Sequence, residues 1–223
     1  MQPVDDGARS GAAGDPSRAK PPLEVRRLGR LSYAAAHALQ EELLAARIEG
    51  RIPDQLLLLE HEPVITLGRG GEPGPAEVGG VPVLSVERGG DATYHGPGQL
   101  VVYPILMLEE ERRDLHRYLR DLEEVVIGVL AGLCVAGSRK PGLTGVWVGE
   151  RKICSLGVAV RRWVAWHGLA LNVHTDLAAF HAFRPCGLDP RVMTRVSDHA
   201  PVPAEDPLLE AAAERHFRRV FGR

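Results

Sequence analysis

The pattern of apolar segments predicts an α+β domain. Strand-like and helix-like stretches are interspersed without a regular βαβ repeat, and short turns join the three strand-like runs of the second half into an antiparallel meander. Two long segments carry apolar residues at helical spacing. With 223 residues, 44% of them hydrophobic and 25% charged, the chain can build a core of its own.

Residues 1–22 are rich in Gly, Ala, Pro, Asp and Arg and have little apolar surface to bury, so a disordered tail is expected there, followed by a single domain over 23–223. The tail has no apolar stretch of the kind a signal peptide needs. A strand is expected at 23–28. Ser32 then caps a helix running to Ile48, with Ala36, Leu39, Leu43 and Ala46 on one stripe and Gly50 as its stop. Residues 55–60 form a continuous apolar strand. The Gly/Pro-rich piece 70–82 reads as a loop, and 83–86 as a strand leading into a glycine-rich loop. A strand at 100–108 follows. Asp114 opens a second helix to about Val135, which places Cys134 on its apolar side. Strands at 144–148, 152–160 and 163–173 form the meander, 174–195 is irregular, and a helix over 206–221 closes the chain.

The net charge of -2 argues against nucleic acid as a partner, and no apolar run approaches the roughly 20 residues that span a bilayer. Three cysteines, Cys134, Cys154 and Cys186, cannot all pair, and none forms a CxxC couple. A reducing, cytoplasmic setting and no structural metal are expected. His167, His174 and His181 recur every seven residues across a strand-to-loop change, a spacing that does not converge on a metal.

Two residues draw attention as chemistry. Of 27 basic residues only Lys20, Lys140 and Lys152 are lysines, so a lysine inside a strand suggests an amine that must be able to lose a proton. Strand alternation would put Lys152, Cys154 and Leu156 on one face. Cys186 sits in Pro185-Cys186-Gly187-Leu188, a bend where backbone N–H groups can lower a thiol pKa. A cysteine and a lysine together suggest acyl transfer through a thioester. The loop Arg88-Gly89-Gly90-Asp91-Ala92-Thr93-Tyr94-His95-Gly96-Pro97-Gly98-Gln99 is dense in glycine, as a backbone that approaches a ligand closely requires. It lacks the order of a nucleotide-triphosphate loop.

That loop, with His61-Glu62-Pro63-Val64-Ile65-Thr66-Leu67-Gly68, Lys152-Ile153, Trp166-His167-Gly168-Leu169-Ala170-Leu171-Asn172-Val173 and Pro185-Cys186-Gly187, resembles the octanoyltransferases of lipoate biosynthesis over roughly residues 23–200. The resemblance implies a mixed, largely antiparallel sheet with packed helices, shared with biotin and lipoate protein ligases. It implies that an octanoyl group passes from octanoyl-acyl carrier protein to Cys186, which Lys152 activates. From there it passes to a lysine of the lipoyl domains of 2-oxoacid dehydrogenase complexes and of glycine cleavage H protein. Neither cofactor nor ATP is needed. Arg88, Gly89, Gly90, Asp91, Ala92, Thr93, Tyr94 and His95, with Ser155, Leu156, Gly157, Gly168, Leu169 and Ala170, match segments lining the acyl pocket. Cys154, where a small residue such as alanine is usual, and Met193-Thr194-Arg195 depart from the family pattern. The rival readings are an ATP-dependent ligase on the same fold, a non-catalytic acyl- or lipoyl-domain-binding module, and a thioesterase. Arg112, Arg113, Arg117 and Arg120 are the candidate surface for an acidic carrier protein.

Overall fold

The computed structural model describes residues 22–72, 74–183, 185–202 and 207–223, so the expected tail lies outside the described residues. The elements are β1 (Leu23–Leu31), α1 (Tyr33–Ile48), β2 (Asp54–His61), β3 (Val64–Leu67), β4 (Glu77–Val78), β5 (Val81–Ser85), β6 (Ala92–His95), β7 (Gln99–Met107), α2 (Leu115–Gly132), β8 (Ser138–Lys140), β9 (Leu143–Val148), β10 (Arg151–Arg161), β11 (Val164–Asn172) and α3 (Pro207–Phe221).

Seven strands form one sheet in the order β1-β2-β7-β11-β10-β9-β8. The β1/β2 pair is parallel and the rest are antiparallel, which bears out the α+β expectation and its meander. The apolar run of β2 makes this sheet buried on both faces, as a strand without polar alternation must be. Leu56 and Leu58 pack toward α2 and α3, while Leu57 and Leu59 pack toward α1. Both long helices start where a side chain can accept from free backbone amides: the Ser32 hydroxyl takes Ala35 N–H, and the Asp114 carboxylate takes His116 and Arg117 N–H.

A second sheet, β4-β5-β3-β6, stands beside the first and carries the glycine-rich loop. It corrects the expected loop at 70–82, since β4 and the start of β5 lie inside it, paired as a hairpin. Its small core joins Ile65, Tyr94, Phe180 and Met193. Cys134 is also corrected. Helix α2 ends at Gly132, the chain turns through φ 58° at Cys134, and that thiol is exposed.

Candidate active site

The site forms where the second sheet meets β10 and β11. β9 pairs with β10 only as far as Cys154, so the rest of that edge of β10 is open to another partner. The glycine-rich loop takes it, with Gly89 N–H donating to Val158 O at 2.9 Å. Gly157 permits this approach, because a Cβ there would stand 2.9 Å from both Arg88 Cδ and Gly89 O. On the other side, a Cβ on Gly168 would collide with the Val102 carbonyl oxygen of β7. These two glycines, paired in register, admit protein neighbours.

The resulting pocket is lined by Arg88, Gly90, Thr93, His95, Ser155, Leu156, Gly157, Gly168, Leu169 and Ala170 from the expected segments. Tyr33, Tyr103 and His167 join them. Gly89 instead docks on β10. Asp91 accepts from Ala92 N–H at 2.6 Å, and Ala92 opens β6. Tyr94 turns away into the small core, edge-on to Phe180. His167 stood in a motif already noted, and Tyr33 opens α1. Nothing in the apolar run of β7 marked Tyr103 as a pocket residue.

A line of buried polar groups crosses the site. The Arg88 guanidinium donates to Thr66 O at 2.7 Å and to Thr66 Oγ1 at 2.8 Å. Thr66 Oγ1 lies 3.3 Å from His95 Nε2, and His95 Nδ1 lies 2.8 Å from Gln99 Oε1. The Gln99 carboxamide donates to Asn172 Oδ1 at 2.9 Å, and Asn172 Nδ2 donates to Thr194 O at 3.0 Å. Thr194 N–H then donates to Lys152 O at 2.9 Å. Burial and the surrounding positive charge hold His95 well below the usual imidazole range, so it is neutral with its proton on Nδ1. A buried network tied end to end in this way favours one geometry.

Lys152 is 3% exposed. The register of β10 against β9 slips by one residue between Lys152 and Cys154, so both Ile153 and Cys154 enter the core beneath α2. Lys152 is left on the opposite face, with Trp147 and the pocket residue Ser155. That corrects the shared face for Lys152, Cys154 and Leu156. The Lys152 side chain lies across Gly145, where a Cβ would stand 2.6 Å from its Cε, and its Nζ is 5.9 Å from the Trp147 ring centroid. Burial pushes the Cys154 thiol far above the usual range despite the nearby Lys152 charge, which makes it an inert core residue.

The Cys186 side chain lies outside the described residues. Its backbone belongs to a single 3-10 turn, Pro185–Gly187, packed against β6 and beside Asp91. From that turn the chain runs to Met193, which bridges the backbone of Lys152. The turn that carries Cys186 and the strand that carries Lys152 are therefore the two ends of one short segment. Met193 and Thr194 supply the backbone clasp on β10, with Thr194 fully buried, while Arg195 turns to Asp198 and Thr175 O.

Residues 32–218 match the model of the lipoyl protein ligase A/B catalytic domain. The chain belongs to this family. Among its relatives, an octanoyltransferase of Geobacter metallireducens is 50% identical over 186 residues, covering 82% of this chain and 87% of the relative. One from Solibacter usitatus is 47% identical over 204 residues, covering 88% and 92%. These identities make the chain an acyltransferase of the octanoyltransferase kind. A structure of lipoate-protein ligase A bound with ATP superposes with a TM-score of 0.68 at 17% identity, covering 92% of this chain and 86% of that one. A bipartite lipoate protein ligase from Thermoplasma acidophilum gives 0.66 at 19%, covering 92% and 85%. At such identities the likeness is one of fold. No helix among the described residues is long and apolar enough to cross a membrane.

Proposed function

We propose that the protein transfers an octanoyl group from octanoyl-acyl carrier protein to a lysine of a lipoyl domain through a Cys186 thioester. The observation that carries this reading is Lys152, a buried lysine on the pocket side of β10, tied through its backbone to the segment that bears Cys186. Burying an ammonium is costly, and an arginine-rich chain that retains one there has a use for its proton chemistry.

The Cys186 thiolate attacks the donor's thioester carbonyl, and the carrier's thiolate leaves and takes up a proton. The acceptor lysine, as a free amine, then attacks the acyl-enzyme, an amide forms, and the Cys186 thiolate departs. Lys152 as a cation favours the thiolate, and as an amine it accepts the proton that the attacking lysine gives up. The first step exchanges one thioester for another and the second runs downhill to an amide, so ATP is not consumed. The acceptors on this reading are lipoyl domains of 2-oxoacid dehydrogenase complexes and the glycine cleavage H protein, and the compartment is the cytoplasm.

The test is intact mass after mixing with octanoyl-acyl carrier protein in the absence of ATP. Wild type and Cys154→Ala are expected to retain one octanoyl group and discharge it to a lipoyl domain, and Cys186→Ala to retain none. The shared fold with ATP-bound ligases motivates a second reading, adenylation of a free acid. Acylation of the lipoyl domain only when ATP and octanoate are supplied, with no adduct on the enzyme, would replace the thioester route.

A further inference from the structure

We propose that His37, Glu87 and His167 form a binding site for a divalent transition-metal ion of the zinc class. His37 comes from α1, Glu87 from the segment just before the glycine-rich loop, and His167 from β11. Among the described residues their ligand atoms all lie within 4.8 Å of one another. His37 Nε2 is 3.1 Å from Glu87 Oε2, and His167 Nε2 is 3.9 Å from the same oxygen. Neighbouring ligands of a tetrahedral zinc stand about 3.3 Å apart, given bonds of about 2.0 Å. The cluster therefore needs only a small closure of the half-buried His37 and exposed Glu87 side chains.

Proximity alone would describe an ordinary ion pair between His37 and Glu87. His167 is what points to a ligand. Its side chain is 1% exposed, yet among the described residues neither ring nitrogen has a hydrogen-bond partner. A buried polar group in that state is costly, and native proteins rarely leave one so. The residue is also held in a left-handed conformation, φ 57°, with its backbone N–H donating to Gln40 Oε1 at 3.0 Å. Gln40 and His37 are one turn apart on α1, so the helix that fixes the His167 backbone also faces its ring.

The ring of His37 is oriented for the role. Its other nitrogen, Nδ1, lies 3.6 Å from Glu41 Oε2, leaving Nε2 toward Glu87. A carboxylate behind a ligating imidazole sets its tautomer and raises its basicity. Two imidazoles and a carboxylate suit zinc, cobalt, nickel or iron better than magnesium or calcium. Three protein ligands leave a position open, and His167 also lines the pocket. The Arg88 and Arg69 guanidiniums also act on His167 and oppose a cation, so the carboxylates of Glu87 and Glu41 must carry the charge balance. The site does not rest on the acyl-transfer reading, and its test does not use that reaction.

Cobalt(II) chloride titrated into the full chain reads the site by its visible d–d absorption, with the exposed Cys134 replaced in a Cys134→Ser background. One cobalt per chain is expected, with no sulfur-to-metal charge-transfer band, displaced by zinc and not by magnesium. His37→Ala, at a half-buried position, and Glu87→Gln, on an exposed side chain, are expected to weaken binding by about tenfold or more each. The rise in Tm that zinc gives should vanish with them. Absence of binding, binding unchanged in both variants, or a thiolate band placing the metal on Cys186 would each overturn the proposal.

Discussion

Gly145 sits at φ 138°, and a methyl group there would meet both Lys152 Cε and the Cys154 carbonyl oxygen at under 3 Å. The place of Lys152 is thus made by what a neighbouring strand leaves out. Gly145→Ala is expected to cost about 1–3 kcal/mol through strain, and to abolish acyl-enzyme formation even where the protein remains folded. Thermal denaturation and intact mass, run together, separate the two effects; a variant that still acylates fully would show that Lys152 is not positioned this way. A second prediction concerns the amine itself. Lys152→Arg keeps the positive charge but cannot give or take a proton near neutral pH, so octanoyl delivery to a lipoyl domain should fall by about a hundredfold or more. Near-normal delivery would leave Lys152 a purely electrostatic role. Lysine scarcity made Lys152 visible in the sequence. The one-residue slip in β10 was not visible, because a bulge leaves the residue types of a strand unchanged, and so Cys154 was grouped with the wrong face.

The strands owe their spacing to a few such absences, and α2 adds a buried charge to its apolar packing. Gly168→Ala would drive a methyl into the β7 backbone at Val102 and against Pro104, and about 3 kcal/mol of stability should be lost in urea denaturation. A loss below about 0.5 kcal/mol would mean that β7 and β11 can part without cost. On the opposite face of the sheet, Glu123 of α2 is fully buried. It accepts from Arg120 at 2.6 Å, from Arg139 at 3.1 Å and from Gly145 N–H at 2.9 Å. Glu123→Gln should cost about 2 kcal/mol, less than for a fully buried pair because both guanidiniums reach solvent. The same denaturation assay decides it, and an unchanged midpoint would count against the network. Helices α1 and α2 were legible from caps and periodicity. β3 and β4 were not: β3 is four residues long behind His61-Glu62-Pro63, and β4 two residues long among glycines and prolines, where turn composition dominates any short window. Of the expected carrier surface, Arg112 precedes α2, Arg113 stacks over Trp163 and Arg120 is committed to Glu123.

Across the whole molecule the buried histidines make stability depend on acidity. Burial lowers His61 from the ordinary 6.5 to about 4, and His167 to about 3. The unfolded chain therefore binds more protons than the folded one between these values and 6.5. Stability is fully present above about 6.5 and is lost as pH falls toward 4 and below. His61 alone contributes about 3 kcal/mol to that loss. Chemical denaturation at pH 7, 5.5 and 4.5 should show the decline, and His61→Gln should flatten it; a curve unaffected by that change would remove His61 from the account. The overall class of fold could be read from the order of strands and helices. How the two sheets meet could not, since Gly89 bonding to Val158 joins residues far apart in the chain.

That junction has a further consequence. Without the Arg88–Gly90 loop, the outer rim of β10 past Cys154 would present bare amides and carbonyls to solvent, a template on which another chain could add a strand. The stretch that walls the pocket is thus also a guard against self-association. Truncating it would invite aggregation, and the protein's solubility would report the damage before its activity did.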